Sequence, residues 1–465
     1  MTKTVAGKFK IRLYDSTKID KEHLMFDNKA LRILLVPVIL EQLLNSLMGM
    51  IDTMMVSNVG SAAISAVSLV DSVNNLLIQI FSALAAGATI ICAQYLGKKD
   101  VEGCNRAARQ VFLSILAISV IVTICCVTFR QPLLSLIFGK VEPQVMKDSL
   151  DYFSLTALSY PFMALFSAGS AFYRAAGNSR FPMTVSVISN FGNIAGNALF
   201  IFYFDMGVTG AALATLLSRI VCTVVVFAAL HRPKQEIVLN HYLRIRPDFR
   251  LIGMILAIGI PSGIENGMFQ FGKLAIQSTV STMGTAAIAA QAMTIILEML
   301  NGIAAIGIGI GLMTVVGQCI GAGRTEEAKY YIVKLTGYAE VAIIVSCILV
   351  LALTKPVILL GGMEAESGRM CFEMMLAITI VKPVSWVLSF VPGYGMRAAG
   401  DVKFSMIVST ATMWLCRVLL CIYLVRAWGF GPMAVWIGMF ADWTIRSVIF
   451  SRRFVSGRWL KQSMV

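Results

Sequence analysis

The chain has 465 residues, of which 57% are hydrophobic and 14% charged, with a formal net charge of +14 and a mean hydropathy of +0.78. A soluble domain carries roughly 25% charge, so this balance excludes a soluble enzyme and points to a polytopic membrane protein. The repeated runs of about twenty apolar residues specify helices, because barrel strands would read as short alternating segments. The cations gather in the N-terminal segment and in alternate loops, which is the positive-inside pattern; no nucleic-acid partner is expected.

Residues 1–30 are polar and charged, with no short apolar core before a cleavage site, and so read as a cytoplasmic tail and not a signal peptide. Phe9, Ile11 and Leu13 offer this tail apolar contacts with the membrane surface, although a solvated tail fits equally well. Six apolar spans follow in the first half: Leu31–Ser57, Ala63–Tyr95, Val111–Phe129, Leu150–Tyr173, Phe181–Phe204 and Gly210–Leu230. The segment before span 4 includes a short apolar piece, Leu133–Phe138, that suits the membrane interface. Residues 232–250 form a basic cytoplasmic linker. Six more spans follow: Leu251–Ser281, Ala286–Ile320, Ile332–Leu353, Cys371–Val391, Phe404–Val425 and Met433–Phe450. Residues 451–465 close the chain with Arg452, Arg453, Arg458 and Lys461. The expected architecture is therefore an all-α integral membrane fold of twelve transmembrane helices, split into an N-lobe (31–231) and a C-lobe (251–450), with both termini cytoplasmic.

The halves are copies. A shift of 224 residues lays Pro37–Gly97 on Pro261–Gly321 without a gap, matching Pro37 with Pro261, Glu41 with Glu265, Gln94 with Gln318 and Gly97 with Gly321. The turn RAAGNSR at Arg174–Arg180 returns as RAAGDVK at Arg397–Lys403. Each half has an even number of spans, so both enter the membrane in the same sense, as parallel pseudo-symmetric bundles with a substrate path expected between them. Pro37 and Pro261 each remove a backbone hydrogen bond and are expected to kink their helices.

Charge at membrane depth marks the candidate site. A carboxylate there costs about 2.5–3.5 kcal/mol on insertion scales, yet Glu41, Asp52 and Asp71 sit in apolar spans. At 1.5 Å per residue, Asp52 lies about 8 Å, Asn197 about 10 Å and Asp71 about 12 Å from the external end, with Thr215 at similar depth. Asn193 and Asn197 are four apart on one helix face. Oxygen ligands of this kind suit a hard cation or a proton-binding carboxylate, while Asn and Thr also serve as hydrogen-bonding glue between helices. Glu41 and Glu265 suit either substrate contact or structural pairing; Gln291 and Glu298 extend a possible polar cavity, and Glu298 is expected to pair with Lys273. The ten cysteines lie mostly in apolar runs as small hydrophobes. No metal-ligand spacing, HExxH, Walker or nucleophile–His–acid pattern is present, so no enzyme, structural metal or cofactor is expected.

These residues also carry a resemblance. Pro37 with Asp52 in IDTMMVSNVG, the segments AAISAVSL, QYLG, RAAGNSRFPM, NIAGNALFIF and GVTGAALATL, and their weaker C-terminal copies resemble the multidrug and toxic compound extrusion (MATE) family. The resemblance implies an N-lobe cation site, carried onto Asp52, Asn193, Asn197 and Thr215; Asn197 replaces the Asp of some members and so removes one negative charge. Phe269 stands where another branch has an acid on span 7, and span 10 offers Lys382 but no acid. The expectation is a monomeric multidrug antiporter of the plasma (inner) membrane, exporting amphipathic, often cationic small molecules through the lipid bilayer in exchange for H⁺ or Na⁺, with Na⁺ possible at Asp52. The alternatives are a flippase for lipid-linked saccharides, disfavoured because Lys273 and Lys382 are the chief cations at membrane depth, and a non-transporting receptor or scaffold, disfavoured by the buried carboxylates.

Overall fold

A computed structural model describes residues 13–20, 22–139, 142–233, 235–240 and 246–462. The first half comprises α1 (Asn28–Ser57), α2 (Ser61–Gly97), α3 (Val101–Thr128), the short α4 (Arg130–Phe138), α5 (Pro143–Leu158), α6 (Tyr160–Ala175), α7 (Arg180–Asn197) and α8 (Gly207–Leu230). The second half comprises α9 (Phe249–Val280), α10 (Thr285–Gly321), α11 (Thr325–Leu360), α12 (Ala365–Ala398), α13 (Val402–Thr412), α14 (Leu420–Trp428) and α15 (Met433–Val455). Eleven helices are long and apolar enough to cross a membrane among the described residues, and twelve spans result when α5 and α6 count as one. The first described segment, through Asp15 on Glu326, and the end of α15, through Arg453 on Asp401, fall on one face, the tail face; the opposite one is the far face.

The helices outrun their apolar windows. α3 starts ten residues before its apolar run because the Asp100 side chain accepts the Gly103 N–H at 2.7 Å and caps it. Arg106 and Arg109, expected in a loop, are thus helical. Span 4, expected as one helix over Leu150–Tyr173, is instead bent by 42° between α5 and α6. Pro161, in the first turn of α6, has no N–H to continue the ladder. Spans 5 and 11 each include a wider π-type turn, Ala198–Tyr203 after α7 and Met413–Leu419 between α13 and α14. Such turns rotate the side chains beyond them and occur often at functional sites. Pro37 and Pro261 both lie inside continuous helices, α1 and α9.

The lobes meet near the tail face, and the repeated motifs are what join them. The Gln94 amide on α2 donates to the Ala398 carbonyl of the C-lobe RAAG turn at 2.7 Å; the Gln318 amide on α10 donates to Ala175 O of the N-lobe RAAG turn, also at 2.7 Å. This exchange demands close backbone approach. A Cβ at Gly97 would overlap the Gln318 carbonyl, and one at Gly321 would overlap the Gln94 carbonyl, so only glycine fits either crossing. The arginines of the same two turns pair inside their own lobes, Arg174 with Glu41 at 3.5 Å and Arg397 with Glu265 at 2.6 Å. Nearer the far face, Leu43, Leu47 and Met54 on α1 and Ile264, Phe271 and Leu274 on α9 are exposed, and hydrogen bonds between the lobes cluster toward the tail face.

Phe9 and Ile11 lie outside the described residues. The following stretch straps α1 to the other lobe. Asp15 N–H donates to Glu326 Oε2 at 2.8 Å, Met25 N–H to Glu327 Oε1 at 2.7 Å, and the Tyr331 hydroxyl both accepts from Phe26 N–H and donates to Phe26 O. Leu13, expected as a membrane contact, is 41% exposed beside this strap.

Replacing both Gln94 and Gln318 by Ala leaves two buried carbonyls unpaired, at about 1–3 kcal/mol each. The lobes should then part at the tail face more often. In an otherwise cysteine-free chain with Ala93→Cys at the seam, maleimide labelling of the purified protein should speed up by at least about tenfold. An unchanged rate would show that the amide exchange does not hold the seam.

Candidate functional site

The N-lobe brings three helices, α1, α7 and α8, to one point in the half of the bundle nearer the far face. Asp52 on α1 is partly exposed, whereas Asn193 and Asn197 on α7 are 7% and 2% exposed. Asn197 Nδ2 donates to Asp52 Oδ1 at 2.9 Å. With its amide turned so that nitrogen faces the carboxylate, Asn193 donates to the same Oδ1 at 3.0 Å and accepts from the Thr215 hydroxyl on α8 at 3.3 Å. The i, i+4 spacing on α7 aims both amides at α1, and the π-type turn begins directly after Asn197. Asn197 Oδ1 is buried and has no donor. An acceptor oxygen left without a partner beside a carboxylate is available to a cation, since burying it unpaired is otherwise unfavourable.

Asp71 belongs to a second polar group on the same side of the lobe. Its Oδ1 accepts from Asn74 at 3.2 Å and from the Tyr152 hydroxyl at 3.4 Å, while Tyr160 OH donates to Asn74 Oδ1 at 2.7 Å. Arg219 on α8 donates to the Ser159 hydroxyl at the α5–α6 bend at 2.5 Å. The bend thus turns Ser159 toward a guanidinium that lies in electrostatic range of both Asp52 and Asp71. Asp52, Asp71 and Arg219 together leave one net negative charge, which a single monovalent cation balances. At the far face, above this region, an open depression of about 580 Å³ is lined in part by Asp148, Asp151 and Asp205; Asp52 is not in its walls.

The other expected polar residues take different positions. Glu41 and Glu265 are buried and paired with the RAAG arginines. Gln291 is 2% exposed and accepts the Trp436 indole N–H at 3.0 Å, within the C-lobe. Glu298 does not pair with Lys273: Lys382 takes both its carboxylate, at 2.5 Å, and its backbone carbonyl, at 3.0 Å, because span 10 and not span 7 presents a lysine at that level. The tyrosines and Asn74 went unread in the sequence because an aromatic hydroxyl in an apolar span carries no mark of its partner. Arg219, Arg417 and Arg446 were legible as single cations inside spans 6, 11 and 12; the apolar windows simply ran over them. With these three, cations at membrane depth are not limited to Lys273 and Lys382, so a scarcity of them no longer argues against an anionic cargo.

Comparison with known proteins agrees with this architecture. The MatE family model matches residues 37–199 and 261–423, one copy in each half at the offset of the internal repeat. A probable multidrug resistance protein, NorM of Thermotoga maritima, is 28% identical over 460 residues, covering 96% of each chain. Multidrug and toxin extrusion protein 1 of Oryctolagus cuniculus is 22% identical over 93% of this chain and 76% of its own. A solved outward-facing multidrug resistance MATE family transporter of the MOP superfamily superimposes with a TM-score of 0.86 at 20% identity, over 94% of this chain and 97% of that one. These relatives are membrane transporters and not enzymes, and with the family model spanning both halves, the chain belongs to the MatE family.

Proposed function

We propose that this chain is a secondary multidrug antiporter in which H⁺ or Na⁺ bound at Asp52 drives export of amphipathic, often cationic compounds. The observation that carries the reading is the Asp52 carboxylate held by Asn197, with the Asn197 acceptor oxygen left free beside it. The names of the relatives support multidrug export as the cargo class. The tail face, with Lys98, Lys99 and Arg180 in its turns, is cytoplasmic by the positive-inside rule, so the space between the lobes opens outward. A cation entering from outside reaches Asp52 on α1, the helix whose Pro37 lies beside its contact with α10. Neutralising Asp52 changes which helix 1 geometry is favoured, and that bias is the coupling, because a ligand shifts a conformational equilibrium only through its differential affinity for the two states.

Efflux of a cationic dye from proteoliposomes, under an imposed pH gradient and separately under a Na⁺ gradient, tests this. Asp52→Asn should insert normally and lose coupled export under whichever gradient drives the wild type. Export at the wild-type rate would remove Asp52 from the mechanism. Asn197→Ala removes a hydrogen bond to a charged group, about 1.5–3 kcal/mol, and should weaken the apparent affinity for the driving ion by roughly 10–100-fold. An unchanged ion dependence would assign Asn197 to packing alone.

A further inference from the structure

The C-lobe buries more positive than negative charge. Asp442 on α15 lies between two guanidiniums, Arg417 at 2.7 Å and Arg446 at 2.6 Å, and all three side chains are at most 6% exposed. Glu298 is consumed by Lys382. Lys273 on α9 is exposed and has no carboxylate partner among the described residues. Of these six groups four are cations and two are carboxylates, leaving an excess of two positive charges within apolar spans. Unpaired charge at this depth is strongly unfavourable.

The hydrogen-bond accounting agrees. Arg417 Nε and Arg446 Nε are both buried and donate to nothing. Both guanidiniums lie over the Phe269 ring, at 5.5 and 5.2 Å from its centre, and Arg446 also lies 4.9 Å from the centre of Phe390. The negative ring faces offset part of the charge and supply no acceptor for an N–H in its plane. Among the described residues the N-lobe has no such cluster: at the 223-residue offset of the RAAG turns, Arg417 matches Ile194, an apolar residue.

The cluster borders the space between the lobes. Asn266 on α9 donates across the seam to Gln79 O of α2 at 3.1 Å. Lys273 follows seven residues later, so it lies on the same helix face and about 10 Å nearer the far face, where the lobes part. Phe269, partly exposed, stands between these two positions and in front of the guanidiniums.

We propose that the C-lobe binds the anionic group of the transported compound, a carboxylate on an amphipathic aromatic anion or zwitterion. Lys273 meets it at the seam, and Arg417 and Arg446 supply guanidinium donors when the Phe269 ring moves aside. A guanidinium fork matches a carboxylate in geometry and charge, and the stacked Trp386 and Phe390, 4.8 Å apart, offer an aromatic wall. The proposal rests on the transporter reading for where cargo enters, but it concerns the other lobe and the opposite charge.

The test uses the full chain in lipid nanodiscs and three probes: 1-naphthoate, its neutral methyl ester, and the cation N-methylquinolinium, with affinities read by titration calorimetry. Naphthoate should bind, and the ester should bind at least about tenfold more weakly, the loss of charge-assisted hydrogen bonds. Arg417→Gln, which leaves Arg446 paired with Asp442, and Lys273→Gln should each weaken naphthoate by about tenfold and leave N-methylquinolinium unchanged. Lys273 is exposed, so its variant decides the matter if Arg417→Gln does not fold. Equal binding of acid and ester, or wild-type naphthoate affinity in Lys273→Gln, would overturn the proposal. Wild-type ion-driven export in Asp52→Asn would count against the Asp52 reading and leave this one standing.

Discussion

The reciprocal exchange between Gln94 and Gln318 is the constraint on which the rest of this molecule depends. Each amide leaves its own lobe to satisfy a carbonyl at the RAAG turn of the other. The paired glycine crossings at Gly97 and Gly321 let the two helices approach closely enough for both bonds to form together. With lipid on the outside, apolar surface provides no force to press the lobes together, and backbone packing with interhelical hydrogen bonds must do so. Those bonds lie toward one face and hold the lobes together there, while nearer the other face apolar side chains of α1 and α9 are exposed. The strap from Asp15 to Phe26 adds further bonds on the same face and ties α1 to the opposite lobe.

On this shared frame the two lobes carry opposite polarity. Asp52 has Ile276 as its counterpart and Asp71 has Ile295, while at the 223-residue offset of the RAAG turns Arg417 has Ile194. One lobe therefore gathers carboxylates and amide oxygens, and the other gathers guanidiniums. The difference is achieved at a few positions, and the glycines, prolines and turn arginines that set backbone geometry are kept. A duplicated scaffold can thus hold two different sites because its packing residues and its charged residues are separate sets.

The scaffold was legible in the sequence because repetition and hydropathy are one-dimensional signals. Depth counting put Asp52, Asn197 and Thr215 at one level, and the structure brings Asn197 to 2.9 Å of Asp52. Partners that depend on rotation about a helix axis were not legible. Glu298 was assigned to Lys273, and it meets Lys382 because α12 packs against α10 at that level. The bend in span 4 was missed although Pro161 signals it, since an apolar window does not register a missing N–H. The RAAG and Gln motifs were both seen to repeat, but a repeat identifies copies and not the exchange between them.

The central claim is that the Asp52 carboxylate takes up the driving cation. Cation uptake by the purified protein addresses it most directly, with proton uptake followed by a pH indicator and Na⁺ by radiotracer, wild type beside Asp52→Asn. The account predicts saturable uptake of one of the two ions in the wild type and its loss in Asp52→Asn. Equal uptake by both proteins would contradict it.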